Sequence, residues 1–273
     1  MHAAMPAYFT REYIRQVQMA LNEKTKMNLP TTGRFNAGWA ELLKRVQIEN
    51  GLLPTAKYDQ DTQELLEPFI QMKYLQDGDF EEAAALLGCE KEAIKAVVRT
   101  AMYASGFISS GKCRITFKRD RFYQELRKRL SEEEIKTHER RNPSVVAPNG
   151  GGYLCDDYEY VRFCAAVSID SYAAMVSTSW GMFQLPGANY RQCGYTAVAS
   201  FAMDMQHSER RQMMALAKFI KGSPTLLKAI REKDWNAFCL RYFGDAYSLY
   251  QYDQRMRSSY TDLTRQRKAS IAA

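Results

Sequence analysis

Histidine is scarce in this 273-residue chain, with three in all, and His138 and His207 sit on charged, polar stretches. Nothing around either one forms a nucleophilic triad. The six cysteines (Cys89, Cys113, Cys155, Cys164, Cys193, Cys239) are scattered, and no C-x-x-C pair occurs. That argues against a metal site and a dense disulfide framework, and leaves reduced, partly buried thiols as the expectation. No apolar run approaches the roughly 18 residues of a membrane span. The opening MHAAMPAYFTREYIRQ has no basic run followed by an apolar one. A secretory leader is therefore not expected, and the chain should be made in the cytoplasm. No cofactor is expected. What is present is ordinary for a soluble globular protein: 46% hydrophobic and 25% charged residues, on a length that suits one large or two smaller domains. The net charge of +7 favours an anionic partner: nucleic acid, a membrane surface, or the anionic polymers of a bacterial envelope.

One stretch stands out. Ser179 to Tyr195, SWGMFQLPGANYRQCGY, mixes aromatics, amides and three glycines within a few turns. Glycine allows close backbone approach or positive φ. Aromatic faces stack on rings, and Gln184 and Asn189 offer paired donors and acceptors. The mixture suits one wall of a groove for a polar, ring-shaped ligand such as a sugar. A glycine-rich turn between helices, its aromatics in the core, is the other reading.

Helical spacing dominates the rest. Thr10 can cap a first helix carrying Tyr13, Val17, Ala20 and Leu21. A second runs over 36–50 on Trp39, Leu42, Leu43 and Val46, and a third follows Asp59 with Leu65 and Leu66 inward. There is an internal echo: Leu29-Pro30-Thr31-Thr32-Gly33-Arg34-Phe35 leads into one helix and Leu53-Pro54-Thr55-Ala56-Lys57-Tyr58-Asp59 into the next. Residues 70–78 read as a linker closed by Asp77-Gly78. Asp79 then caps a helix over 80–87, and another spans 91–104. Cys113 to Phe117 reads as a short strand, and a helix follows over 122–130. Ser131 caps the next, and 142–153 is a loop. Helices are expected over 157–166, 172–178, 198–220, 224–231 and 234–242, then a last one with a frayed basic tail. The chain is therefore mainly α with at most a small sheet.

The first 75 residues, with RQVQMALN, LPTTGRF and LLKRVQIENGLLPTAKYDQDTQELL in order, resemble the three-helix peptidoglycan-binding domain of bacterial and phage cell-wall enzymes. That resemblance implies glycan or stem-peptide binding near Gly33, Arg34, Phe35 and Trp39. Residues 76–273 resemble the N-acetylmuramidase family. They match at Ser179, Trp180, Gly181, Phe183, Gln184, Gly187, Asn189, Tyr190, Cys193, Gly194 and Tyr195. Further matches are Asn142-Pro143, Gly151-Gly152-Tyr153, Glu159-Tyr160, Ser208-Glu209, Lys233-Asp234-Trp235 and Phe238. The implied fold is lysozyme-like, with a small β element. The implied partner is peptidoglycan or its fragments rather than nucleic acid, reached at the cell wall or periplasm through phage lysis or a secretion system. A phage or secretion-system protein is a further expected partner. The implied glycan groove involves Trp180, Phe183, Gln184, Asn189, Tyr190, Tyr195 and Tyr247.

The departures concern chemistry. Cleaving a glycosidic bond normally requires a carboxylic acid to protonate the leaving oxygen. The resemblance places that Glu at Ala101, and no Asp or Glu occurs between Glu92 and Asp120. The family's F-E-R-H-x-F becomes Phe117-Lys118-Arg119-Asp120-Arg121-Phe122, and its Y-N-G-P-G-Y becomes Tyr242-Phe243-Gly244-Asp245-Ala246-Tyr247. Three readings follow: a binding or docking protein on a muramidase scaffold, an active muramidase using a displaced carboxylate (Asp120, Glu159 or Glu209), or a protein-interaction adaptor that no longer touches glycan. The ordinary role for Glu159 and Glu209 is to anchor helices.

Overall fold

The computed structural model describes residues 11–102 and 105–272. Three helices come first: α1 (Arg11–Thr25), α2 (Ala37–Glu49) and α3 (Gln60–Lys73). The loops joining them are built alike, so the sequence echo is a structural one. Buried Gln18 accepts the Gly33 N–H at 2.8 Å and donates to the Arg34 carbonyl at 2.9 Å. Buried Gln47 accepts the Ala56 N–H at 3.0 Å and donates to the Lys57 carbonyl at 2.9 Å. Each amide satisfies loop backbone from inside the core, where an unpaired group costs about 1–3 kcal/mol. Asn36 and Asp59 cap α2 and α3 by accepting the Trp39 and Thr62 N–H groups. The cap expected at Thr10 lies outside the described residues.

Most of the expected linker is not one. α3 continues to Lys73, and α4 (Asp77–Leu87) starts ahead of Asp79. Asp79 accepts the Gln76 N–H at 2.8 Å from within the first turn. Lys73 is buried, paired with Glu23, bonded to the Gly111 carbonyl at 2.9 Å and 4.1 Å above the Phe107 ring. Asn22 donates to the Ser109 carbonyl at 3.1 Å. A single apolar cluster therefore runs from Val17 and Trp39 through Phe107 to Phe238.

After α4 come α5 (Lys91–Ala101), β1 (Ile115–Phe117), α6 (Arg119–Leu126), α7 (Glu132–Arg141), α8 (Asp157–Val167) and α9 (Ser171–Val176). Then β2 (Thr178–Trp180) and β3 (Leu185–Pro186) complete a three-stranded antiparallel sheet, β1-β2-β3, with Ile115 opposite Trp180 and Ser179 opposite Pro186. The remaining helices are α10 (Val198–His207), α11 (Glu209–Lys221), α12 (Pro224–Glu232), α13 (Trp235–Phe243) and α14 (Tyr252–Ala272). The fold is mainly α with a small sheet. Among the described residues no helix is long and apolar enough to cross a membrane.

Three expectations need correction. The helix expected over 198–220 breaks at Ser208, which is extended (φ −160°, ψ 156°) and caps α11 by accepting the Arg211 N–H. The helix expected over 172–178 stops at Val176, because Thr178–Trp180 is needed as the central strand. The tail expected to fray is helical to Ala272 and packs along α5, with Arg267 bonded to buried Glu92 at 3.0 Å.

A second tie holds this last helix. Lys233 (2.6 Å) and Tyr260 (2.7 Å) donate to Glu90, and these bonds keep its carboxyl below the usual carboxylate range. A depressed folded pKa adds stability above the unfolded pKa and loses it as pH falls through the folded value. Glu90→Gln should therefore lower the thermal midpoint at pH 7, by at most about 1 kcal/mol or roughly 2–4 °C because the pair is partly exposed. The gap to the parent should close as pH drops below about 4. A gap that stays constant from pH 7 to pH 3 would show that the charge plays no part.

Candidate functional site

A cavity of about 400 Å³ opens where the end of α5 faces the β2–β3 turn. Ala101, Phe183 to Pro186 and Asn189 line it. Phe219 of α11 and Tyr242 and Phe243 of α13 line the rest. A second cavity of about 290 Å³ adjoins it, sharing Pro186 and Asn189. Its other walls are Lys118 ahead of α6, Arg121 and Glu125 from α6, and Val176 to Ser179.

The Ser179–Tyr195 stretch divides between these cavities and the core. Trp180 was expected on the groove wall, but it is a core residue. It is 2% exposed, stands edge-on to Phe163 at 5.4 Å, and donates from Nε1 to the Met175 carbonyl at 3.2 Å. Tyr190 and Tyr195 also turn away from the cavities. Tyr190 is buried and accepts from Arg191 at 2.9 Å, and Tyr195 donates to Asp204 at 2.9 Å. Burial pushes the Cys193 thiol up to about 12, so it remains a protonated core group. Tyr247 lies on the 3-10 turn Asp245–Tyr250, bonded to Asn236 and outside both cavities. Phe183, Gln184 and Asn189 do line the groove.

Local sterics explain two of the glycines. A Cβ on Gly187 would lie 2.0 Å from the Met175 carbonyl oxygen. One on Gly181, at φ +72°, would lie 2.6 Å from Gln212 Oε1. Both therefore serve protein-to-protein approach. Gln184 also takes a positive φ of 49°. Its amide holds the turn, accepting from Thr116 at 2.6 Å and donating to the Gly181 carbonyl at 2.9 Å. Asn189 is the groove amide whose side chain has no such internal bond among the described residues.

The three candidate carboxylates are elsewhere. Glu159, 1% exposed, accepts from Phe117 N–H at 2.7 Å, Leu154 N–H at 2.8 Å and Arg162 at 2.9 Å. Glu209 accepts from Gly106 N–H at 2.8 Å, Ser105 Oγ at 3.0 Å and Leu75 N–H at 3.2 Å. Asp120 sits in the first turn of α6 against Gly150 of the 142–153 loop, and lines neither cavity. The carboxylate that does is Glu125, bonded to Lys128 at 2.6 Å. Its signal was the 121, 125 spacing, which places Arg121 and Glu125 on one face of α6, with Lys118 just ahead of the helix. Tyr242 is the titratable side chain among the residues lining the groove itself, and burial raises its pKa further above the ordinary tyrosine value.

In the three-helix unit, Trp39 is buried, donating to the Pro30 carbonyl at 3.3 Å, and Gly33 (φ +71°) is buried over Gln18. Arg34 is exposed and Phe35 half-buried, 6.1 Å from the Trp39 ring. Among the described residues no cluster of three His, Cys, Asp or Glu is placed to hold a metal ion.

Comparison with known proteins adds three findings. The family model described as Muramidase, N-acetylmuramidase, matches residues 90–264. The crystal structure of Burkholderia AP3 phage endolysin matches with a TM-score of 0.67 at 26% sequence identity, covering 92% of this chain and 95% of that one. None of the curated proteins matches.

Gly187→Ala should be among the most damaging small substitutions, since its Cβ meets fixed backbone. The expected loss is about 3 kcal/mol, a midpoint drop of roughly 6–12 °C by thermal denaturation. Gly78→Ala is the control, because nothing lies within 4 Å of the added carbon. Equal midpoints for the two variants would contradict the packing described.

Proposed function

The chain belongs to the N-acetylmuramidase family, and we propose that it is a peptidoglycan-directed member that holds glycan without cleaving it. The observation that carries this is Ala101 at the wall of a groove with no Asp or Glu among its lining residues. Protonating a glycosidic oxygen near neutral pH needs a carboxylic acid, its pKa raised by an apolar surround. Phe183, Leu185, Phe219 and Phe243 give such a surround, and no Asp or Glu lines it. Tyr242 is no substitute, because burial shifts its hydroxyl away from donating. What remains suits binding: aromatic faces for sugar rings and the Asn189 amide for their hydroxyl and acetamido groups. Arg34 and Phe35 of the three-helix unit supply a second contact with the wall. The likeness to a phage endolysin supports a setting in which phage lysis brings the chain to the wall.

One observation favours a second reading, hydrolysis by a displaced carboxylate. Glu125 lines the adjoining cavity. Two assays separate the readings. The full chain should pellet with purified sacculi, and Asn189→Ala should weaken pelleting about 10-fold without lowering the thermal midpoint. The parent should release no reducing ends from the same sacculi. Release that Glu125→Gln abolishes would establish the second reading, and release that survives in Glu125→Gln and in Asp120→Asn would overturn both.

A further inference from the structure

The cavity beside the groove is chemically unlike it. A neutral sugar has no need of fixed cations, yet Lys118 and Arg121 both line this space. Neither makes an ion pair among the described residues. The one lining carboxylate, Glu125, is already matched by Lys128 at 2.6 Å, which leaves the local field positive. Ser177 also lines the cavity, while its Oγ is buried without a hydrogen-bond partner. The Lys118 N–H donates to the Ser177 carbonyl at 3.1 Å, which sets the start of α6 against Ser177. That helix start has no side-chain cap, and Asp120 in its first turn offsets its positive end, so the cavity's positive field comes from the Lys118 and Arg121 side chains.

We infer that this cavity is a carboxylate subsite for an acid-bearing arm of the glycan strand, held by Lys118 and Arg121. The inference rests on the groove binding glycan, as proposed above. Continuity through Pro186 and Asn189 lets a sugar in the groove place a substituent here. Two carboxylates on such a strand have the required chemistry, the lactyl acid of a muramyl sugar and an acid of its stem peptide. The charged contacts give the site a preference that weakens with salt.

The test measures binding of the full chain to three probes at low and high salt: a neutral chitotetraose, a muramyl-containing tetrasaccharide with free lactyl carboxylates, and the same strand carrying stem peptides. At low salt at least one acid-bearing probe should bind about 10-fold more tightly than the neutral one. Lys118→Met and Arg121→Gln should each remove most of that preference and leave neutral binding unchanged. Preference for the free-acid strand assigns the lactyl group, and preference for the peptide-bearing strand alone assigns the peptide. Equal binding of all three probes, or a preference surviving in both variants, overturns the subsite while leaving glycan binding intact. Binding of no probe overturns the subsite together with the glycan-binding reading.

Discussion

The first turn of α11 is the constraint on which the rest of the molecule depends. Glu209 and Gln212 stand one turn apart there, and both are buried. Glu209 receives the junction behind α3 at Leu75 and the turn behind α5 at Ser105 and Gly106. Gln212 receives the Met182 N–H at 2.8 Å, and donates to the carbonyls of Met205 (2.8 Å) and Gly106 (3.3 Å). Two side chains thus fix the joint to the three-helix unit, the end of the α5 segment, the β2–β3 turn and the break before α11. All these bonds are inside, where a lost partner leaves a desolvated group behind. The groove lies between the α5 segment and the β2–β3 turn, so its width is set by this clamp.

A second clamp at α8 works in the same way. Glu159 collects the Phe117 and Leu154 N–H groups, and Arg162 donates to the Phe117 carbonyl at 3.3 Å and the Ser144 carbonyl at 2.8 Å. Breaking a buried pair of this kind costs about 3–5 kcal/mol, because an uncompensated charge remains. Between them these clamps hold two of the carboxylates that sequence reasoning offered as stand-in acids. Backbone N–H groups take up the oxygens of both carboxylates inside the protein. These acids carry the scaffold, and the groove is left to aromatic rings, one free amide and the cations beside it.

Much of this was legible in the sequence. The periodic apolar stripes placed most of the helices, and the caps at Asn36, Asp59, Ser131 and Asp170 appear at the expected helix starts. Phe183, Gln184 and Asn189 of the Ser179–Tyr195 motif line one cavity together with Ala101, in the stretch between Glu92 and Asp120 that holds no Asp or Glu. Ser208 could also have been read as a break, since a serine followed by glutamate is a helix-start signature.

What the sequence determined by itself was the inventory: which segments become helices, which family pattern they carry, and that no Asp or Glu occurs between Glu92 and Asp120. What only the tertiary structure decided was the direction in which each side chain points. Trp180 and Gln184 belong to one motif, yet Trp180 faces the core and Gln184 the groove. Trp180 ends β2, and Gln184 lies in the turn before β3, which takes a positive φ at Gly181 and again at Gln184. Glu125 and Ser177 are far apart in sequence and share a cavity only because α6 begins against the end of α9. Helical spacing is a local property of a sequence, but the meeting of two faces depends on long-range packing, and no short window of residues contains it.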